Sequence, residues 1–289
     1  MIPSAFQYTR ASSLDDALKT LASAKDAKVI AGGQSLVPLM KLRLARPDRL
    51  LDIGGLKELK GIRKLADGRL AVGALTTYRE ILDHKEAMHY GVLRDCLPII
   101  GDVQVRNRGT IGGSLAHADP ASDLPAALLA LDAEIVARST KGERRIKVTE
   151  LFAGPFESTL RSDELLVEVV LPAPVPVAGS AYTTLMAKSS GYAIVGVASV
   201  IVPAKDGTIA WASVAVTGVG DVPYRASKVE AAIIGKKPSA ELFRSAAANA
   251  TAGMHVNSDI HADRDYRTAM AATHVARSLG ISLSRSAAG

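Results

Sequence analysis

Apolar positions along the chain switch repeatedly between the helical and the extended period, with glycine- or proline-rich punctuation between them. Leu14, Ala17, Leu18, Leu21 and Ala22 recur at helical spacing behind Ser12 and Ser13, with Asp15 and Asp16 at the positive end, which predicts a capped amphipathic helix. The spacing then predicts a short buried strand over 28–31, a short helix over 36–44 interrupted early by Pro38, and a strand over 50–53. Segments 61–65 and 69–74 flank Asp67-Gly68 as a hairpin. Thr76 and Thr77 start a helix to about residue 83, and a longer helical stretch covers 86–100, bent or ended at Pro98. Ser122 or Asp123 caps a helix carrying Ala126, Leu128, Leu129 and Leu131. Strands are expected at 134–137, 144–148 and 164–171.

After the extended proline run 172–176, strands over 181–186, 192–202 and 208–216 predict a three-stranded antiparallel sheet. Helices follow over 229–234, 240–252 and 263–279, and the alanine-rich tail after Ser284 is expected to fray. The order of elements is that of an α+β fold. The proline run divides it into 1–175, with sub-lobes of about 1–58 and 59–175, and a smaller domain over 176–289.

With 289 residues and 48% apolar content, the chain is long enough for two cores. No apolar run approaches the ~20 residues of a membrane helix. The start Met1-Ile2-Pro3-Ser4 lacks the basic and apolar regions of a signal peptide, so a cytoplasmic location is expected. A net charge of +6 invites a nucleic-acid reading, but the basic residues are scattered among acids and aromatics make up only 4%. Neither a stacking platform nor a basic recognition helix emerges, and the cluster Lys141 to Lys147 reads as a solvated hairpin. The lone Cys96 excludes an internal disulfide and an iron–sulfur cluster held by this chain. Six histidines form no metal-binding pair, and no G-x-S-x-G elbow is present.

The candidate chemistry lies in two glycine segments, Ala31-Gly32-Gly33-Gln34-Ser35 and Thr110-Ile111-Gly112-Gly113-Ser114. Paired glycines allow positive φ and let successive amides converge on an anion without a side chain in the way. Each segment ends in a hydroxyl and lies beside a helical stretch, an arrangement that fits two cradles around one diphosphate, with a dinucleotide such as FAD as the leading ligand. Neither a Rossmann fingerprint nor a Walker loop occurs, so the grip is of another type. Arg106 and Arg108 add positive potential upstream of the second segment, or are solvated.

The strings AGGQSLVPLMKLRLARPDRLLDI over 31–53 and QVRNRGTIGGSLAHADPASDL over 104–124, followed by Gly191-Tyr192-Ala193-Ile194-Val195-Gly196, resemble the FAD-binding medium subunit of molybdenum hydroxylases. Aerobic carbon monoxide dehydrogenase and its relatives are the nearest type, with the xanthine dehydrogenase flavin domain more distant. The resemblance covers nearly the whole chain. It implies a two-lobed FAD-binding domain of the vanillyl-alcohol-oxidase/PCMH type followed by a C-terminal flavoprotein domain. Ala31, Gly32, Gly33, Gln34, Ser35, Thr110, Ile111, Gly112, Gly113 and Ser114 would then contact the diphosphate and ribose. Asp123 would accept hydrogen bonds from a ribose or from backbone near the cofactor, or cap its helix. Tyr192 would lie beside the isoalloxazine, or in the core. Lys188 would stand near the flavin N1 and C2 carbonyl, or at the surface, and His117 would hydrogen-bond the cofactor or pack in its loop.

The resemblance further implies electron transfer rather than acid, base or nucleophilic chemistry by this chain. Partners would be a [2Fe-2S] small subunit and a molybdenum-binding large subunit, as a dimer of heterotrimers, with a small-molecule or quinone acceptor and membrane association only through the complex. Gln34 stands where many relatives carry His, and Gly191 where an Asp is common. Without a nucleophile at position 34, noncovalent FAD is expected. Exposed Arg43, Arg46 and Arg49 meet an acidic partner or form a solvated helix edge. The alternative is a self-sufficient FAD-dependent reductase or oxidase on the same fold.

Overall fold

The computed structural model of the chain describes residues 2–24 and 26–286. Its first lobe opens with β1 (Gln7–Arg10), α1 (Leu14–Ser23), β2 (Ala27–Ile30), α2 (Leu36–Lys41) and β3 (Arg49–Asp52). The Ser13 hydroxyl caps α1 through the Asp16 amide, and Leu14, Ala17, Leu18 and Leu21 pack on Leu51, Ile53, Leu56 and Leu75. The strands are parallel in the order β1-β3-β2, so their carboxyl ends share one edge. β2 is half-buried rather than buried, because it lies at the sheet margin. The polar run Gln7–Arg10 gives no periodic signal, and β1 forms because β3 supplies its ladder.

The second lobe contains β4 (Ile62–Lys64), β5 (Leu70–Gly73), α3 (Tyr78–Leu82), α4 (Gly91–Cys96), α5 (Val103–Arg106), α6 (Ile111–His117) and α7 (Asp123–Ala130). It continues with β6 (Glu134–Ser139), β7 (Gly142–Lys147), β8 (Phe152–Gly154), β9 (Glu157–Ser158) and β10 (Leu165–Leu171). β10 lies at the centre of an antiparallel sheet ordered β4-β5-β10-β6-β7, and β8 pairs with β9. Both expected hairpins form, and Thr77 caps α3 in a capping box with Glu80. The long helix expected over 86–100 is broken into single turns around α4, Pro98 falling within the last of them.

The C-terminal domain consists of β11 (Gly179–Met186), β12 (Ala193–Pro203), β13 (Ile209–Thr217), β14 (Tyr224–Arg225), α8 (Ser227–Ile233), α9 (Ala240–Ala247) and α10 (Arg264–Arg285). Its antiparallel sheet has four strands, not the expected three, because Tyr224 and Arg225 add a two-residue ladder on β13. One face packs on α8, α9 and α10. Tyr182, Ala198, Val200 and Ala215 on the other face join the core of the second lobe. All eight residues of α7 are buried between the two sheets. α10 stays helical through Arg285, past the point where fraying was expected, and the rest of that tail, 287–289, lies outside the described residues.

Candidate functional site

β2 ends at the carboxyl edge of the parallel sheet, where ligands of α/β units bind, and hands the chain to residues 31–35. Gly33 has φ +75°, a conformation that L side chains rarely adopt. A Cβ on Gly32 would lie 2.1 Å from the Arg108 carbonyl oxygen. The two glycine segments therefore abut although almost eighty residues separate them, and a Cβ on Gly113 would lie 3.9 Å from that of Ala31. Among the described residues, the amides of Gly32, Gly33, Gln34 and Ser35 have no acceptor within the chain, whereas the Gln34 side-chain amide donates to Gly32 O at 3.2 Å. Ser35 precedes α2 without spending its hydroxyl on a cap bond.

The second segment differs from expectation. It is the start of α6, not a turn with positive φ. Thr110 caps the helix through the Gly113 amide at 3.1 Å, the Ile111 amide donates to Thr76 O and the Gly112 amide donates to Ala74 O. Gly112 has no Cβ because one would sit 2.6 Å from the Ala74 Cβ. The amides of Ile111, Gly112 and Gly113 are thus already satisfied. What this segment offers a ligand is a half-buried, side-chain-free surface at Gly113 and the Ser114 hydroxyl, 3.2 Å from the Ser122 hydroxyl.

The loop after α6 fastens the C-terminal domain beside this cleft. Pro120 O accepts from the Gly218 amide at 2.7 Å and from Thr217 Oγ1 at 2.8 Å, Ser122 O accepts from Thr217 Oγ1 at 2.9 Å, and Ala121 O accepts from the Ala193 amide. Buried Arg267 donates to Ile194 O and Gly218 O from the far side. These bonds set Tyr192, the neighbour of Ala193, near Tyr78 and Asp119, and leave it 47% exposed. It is therefore not a core tyrosine. Burial, with the nearby carboxylates of Asp119 and Asp123, pushes its phenol up, and burial pushes Tyr78 up to about 12.

Asp123 is not the helix cap. That position is Ser122, and Asp123 is the first residue of α7, buried, accepting from the Tyr182 phenol at 2.6 Å. Burial pushes its carboxyl up to about 6, against the pull of the Tyr182 bond. Tyr182 fits only because position 196 is glycine, where a Cβ would lie 2.0 Å from the phenol oxygen. Tyr182, Thr217 and Arg267 escape a reading of the sequence because their partners are remote, although the glycine at 196 marks the space Tyr182 fills.

The remaining expected participants differ in their surroundings. Lys188 is exposed at the tip of the β11–β12 connection. Arg106 is spent on the carbonyls of Ile100 and Gly101, and Arg108 is exposed. His117 stacks against Phe156 with ring centroids 5.2 Å apart, and burial holds its pKa down. Arg43, Arg46 and Arg49 do not form a helix edge: α2 ends at Lys41, Arg43 has φ +60° and Arg49 opens β3.

Open amides, a glycine that admits no Cβ, the Ser35 and Ser114 hydroxyls and a half-exposed tyrosine at a domain junction fit the diphosphate and ring of a dinucleotide. Residues 4–174 match the family described as the FAD binding domain in molybdopterin dehydrogenase, and residues 180–280 match the CO dehydrogenase flavoprotein C-terminal domain. The alpha subunit of the 6-hydroxypseudooxynicotine dehydrogenase complex of Paenarthrobacter nicotinovorans is 39% identical over 99% of this chain and 97% of its own length. The structure superposes on a chain of carbon monoxide dehydrogenase from Hydrogenophaga pseudoflava with a TM-score of 0.95 at 37% identity, covering 99% of this chain and all of that one. Quinoline 2-oxidoreductase from Pseudomonas putida 86 gives 0.91 at 33% identity, covering 99% of each chain. The chain belongs to the FAD-binding flavoprotein subunits of molybdenum-containing dehydrogenases, the family of the carbon monoxide dehydrogenase medium chain.

Proposed function

We propose that this chain takes electrons from [2Fe-2S] clusters on a small partner subunit and passes them to an external small-molecule or quinone acceptor. A molybdenum-binding large subunit would oxidise the substrate, and the complex would be a dimer of heterotrimers in the cytoplasm. The observation that carries this reading is the run of unpaired amides at 32–35 pressed against the start of α6, in a chain matching its relatives over nearly its full length. Those relatives are named for different reactions, on 6-hydroxypseudooxynicotine, carbon monoxide and quinoline. A shared electron-carrying chain beside exchangeable substrate subunits accounts for that spread. The single cysteine supports placing the clusters on another polypeptide.

When bound, FAD supplies redox chemistry that amino-acid side chains lack. In this reading the amides of Gly32, Gly33, Gln34 and Ser35, with the Ser35 and Ser114 hydroxyls, hold the diphosphate, and the Cβ-free surface at Gly113 lets it approach. Thr110 supports that surface through its cap, with Ile111 and Gly112 anchoring it to residues 74–76. Ala31 closes the contact between the segments. Tyr192 limits water over the ring, Lys188 adds positive charge from its loop, and Asp123, through Tyr182, positions the C-terminal domain. Gln34 carries no nucleophile, so attachment is noncovalent. In the same reading the two domains span 1–175 and 176–289.

Flavin content tests the grip. The purified wild-type chain should carry about one FAD, bleached by dithionite, while Gly33→Val should lose at least tenfold of it and keep a native circular dichroism spectrum, since a β-branched residue at positive φ costs about 1–2 kcal/mol locally. Full flavin occupancy in the variant would refute the assigned grip.

A further inference from the structure

A buried guanidinium stands at the cleft end of the C-terminal sheet, where two strands stop pairing. Between β11 and β12, Leu185 pairs with Val195 and Met186 with Ala193, so Ile194 is the extra residue of a bulge. On the other side, β12 and β13 end their ladder at Gly196 and Thr217, and Gly218 turns away with φ +79°. A Cβ on Gly218 would lie 2.5 Å from Ala193 O and 2.8 Å from Ile194 O, so the two strand ends press together. Arg267, in the first turn of α10 and 4% exposed, joins them: its Nη1 donates to Ile194 O at 2.7 Å and to Gly218 O at 2.6 Å. Its Nη2 donates to Asp259 Oδ2 at 2.6 Å, and Asp259 Oδ1 accepts from the amides of His261 at 2.8 Å and Ala262 at 3.1 Å. Among the described residues Arg267 Nε has no acceptor, so the guanidinium is oriented for the two carbonyls and the carboxylate even though one buried donor goes unpaired.

Bulges beside binding sites re-aim side chains, and this one lies two residues after Tyr192. Little holds Tyr192 locally: its amide reaches Ser190 Oγ at 3.4 Å, and its carbonyl accepts from the Ala187 amide at 2.9 Å within the same turn. The two residues that follow are held on one side by Ala121 O, through the Ala193 amide, and on the other by Arg267. Burying a charge for an ion pair seldom adds stability over apolar packing of similar volume, so the single arrangement that this guanidinium enforces is the better account of its place. We propose that Arg267, braced by Asp259, is a positioning residue that fixes the bulge at Ile194 and with it the placement of Tyr192 over the flavin ring. The inference rests on the assignment of Tyr192 to the ring and adds the group that holds it there.

The test uses the full chain and compares wild type with Arg267→Met, Arg267→Lys and Asp259→Asn. Hydrogen exchange at single amides reads the clamp. In Arg267→Met the amides of Ala193 and Gly218, which donate to Ala121 O and Pro120 O, should exchange about tenfold faster or more, while amides at the centre of β13 keep their wild-type rates. Arg267→Lys, which keeps the charge without the planar fork, should recover part of that protection, and Asp259→Asn should lose part of it. Quenching of flavin fluorescence by iodide reads the cover over the ring: in Arg267→Met the quenching constant should rise about twofold or more, with flavin per chain unchanged. If Arg267→Met fails to fold, Asp259→Asn decides by the same two readouts. Exchange that rises equally throughout β13 would make Arg267 a general stabiliser and overturn the proposal. So would faster exchange at 193 and 218 with iodide quenching unchanged, and both results leave the electron-transfer reading intact. A wild-type chain that carries no flavin would overturn that reading and this proposal together.

Discussion

Asp123 is the residue whose chemistry departs furthest from its ordinary state. Its carboxyl titrates at about 6 in the fold, against an ordinary value of 3.8, and burial is the main cause. The folded state therefore binds the proton more tightly than the unfolded chain does, and this group's contribution to stability is full below about pH 4 and lost as pH rises through about 6. The change amounts to about 3 kcal/mol. Urea unfolding of wild type and Asp123→Asn at pH 4 and pH 7 checks it: the stability of the wild type relative to the variant should fall by about that amount between the two pH values. Equal slopes would show that the carboxyl is not held in the way described. That an aspartate stands at 123 beside the cofactor strings is legible in the sequence. That its partner is Tyr182, 59 positions away, is not, because a phenol–carboxylate bond across two domains leaves no periodic trace.

Elements were read well wherever one period dominated. α1, both hairpins and β10 to β13 lie where apolar spacing and caps put them. The failures share a cause: β1 and β14 are short strands without a period that form because a neighbour offers a ladder, and the 86–100 stretch is broken by packing around α4. The second glycine segment is the instructive case. Thr-Ile-Gly-Gly-Ser reads as an open cradle because paired glycines allow positive φ and let successive amides converge on an anion. It is helical because Thr110 caps it and because the carbonyls of Ala74 and Thr76 take its first amides. Thr110→Ala should lower the stability of the chain by about 1 kcal/mol, measured as a shift in the thermal midpoint. An unchanged midpoint would mean that the packing of Gly112 on Ala74 alone holds the helix start.

At the scale of the molecule, the second lobe and the C-terminal sheet share one core, with α7 buried between them. The junction is a packed interior joined by backbone bonds from Pro120, Ala121 and Ser122, rather than a flexible hinge. A chain cut after residue 175 would expose the face of α7 that Ala198, Val200 and Ala215 cover. Such a fragment should aggregate or unfold without a cooperative transition, whereas calorimetry of the intact chain should show these two parts melting together. Two separate transitions in the intact chain would contradict a shared core.

The α+β order, the glycine segments, the lack of cysteines for a cluster in this chain and the family resemblance that the relatives bear out are all legible in the linear chain. These are properties of local spacing and residue type, which survive in a linear reading. That the two segments touch, that the unpaired amides belong to the first of them, and that Asp123 faces Tyr182 emerges with folding. Each depends on groups distant along the chain: an amide is open or closed according to whether folding brings a carbonyl within reach, and spacing alone carries no record of that.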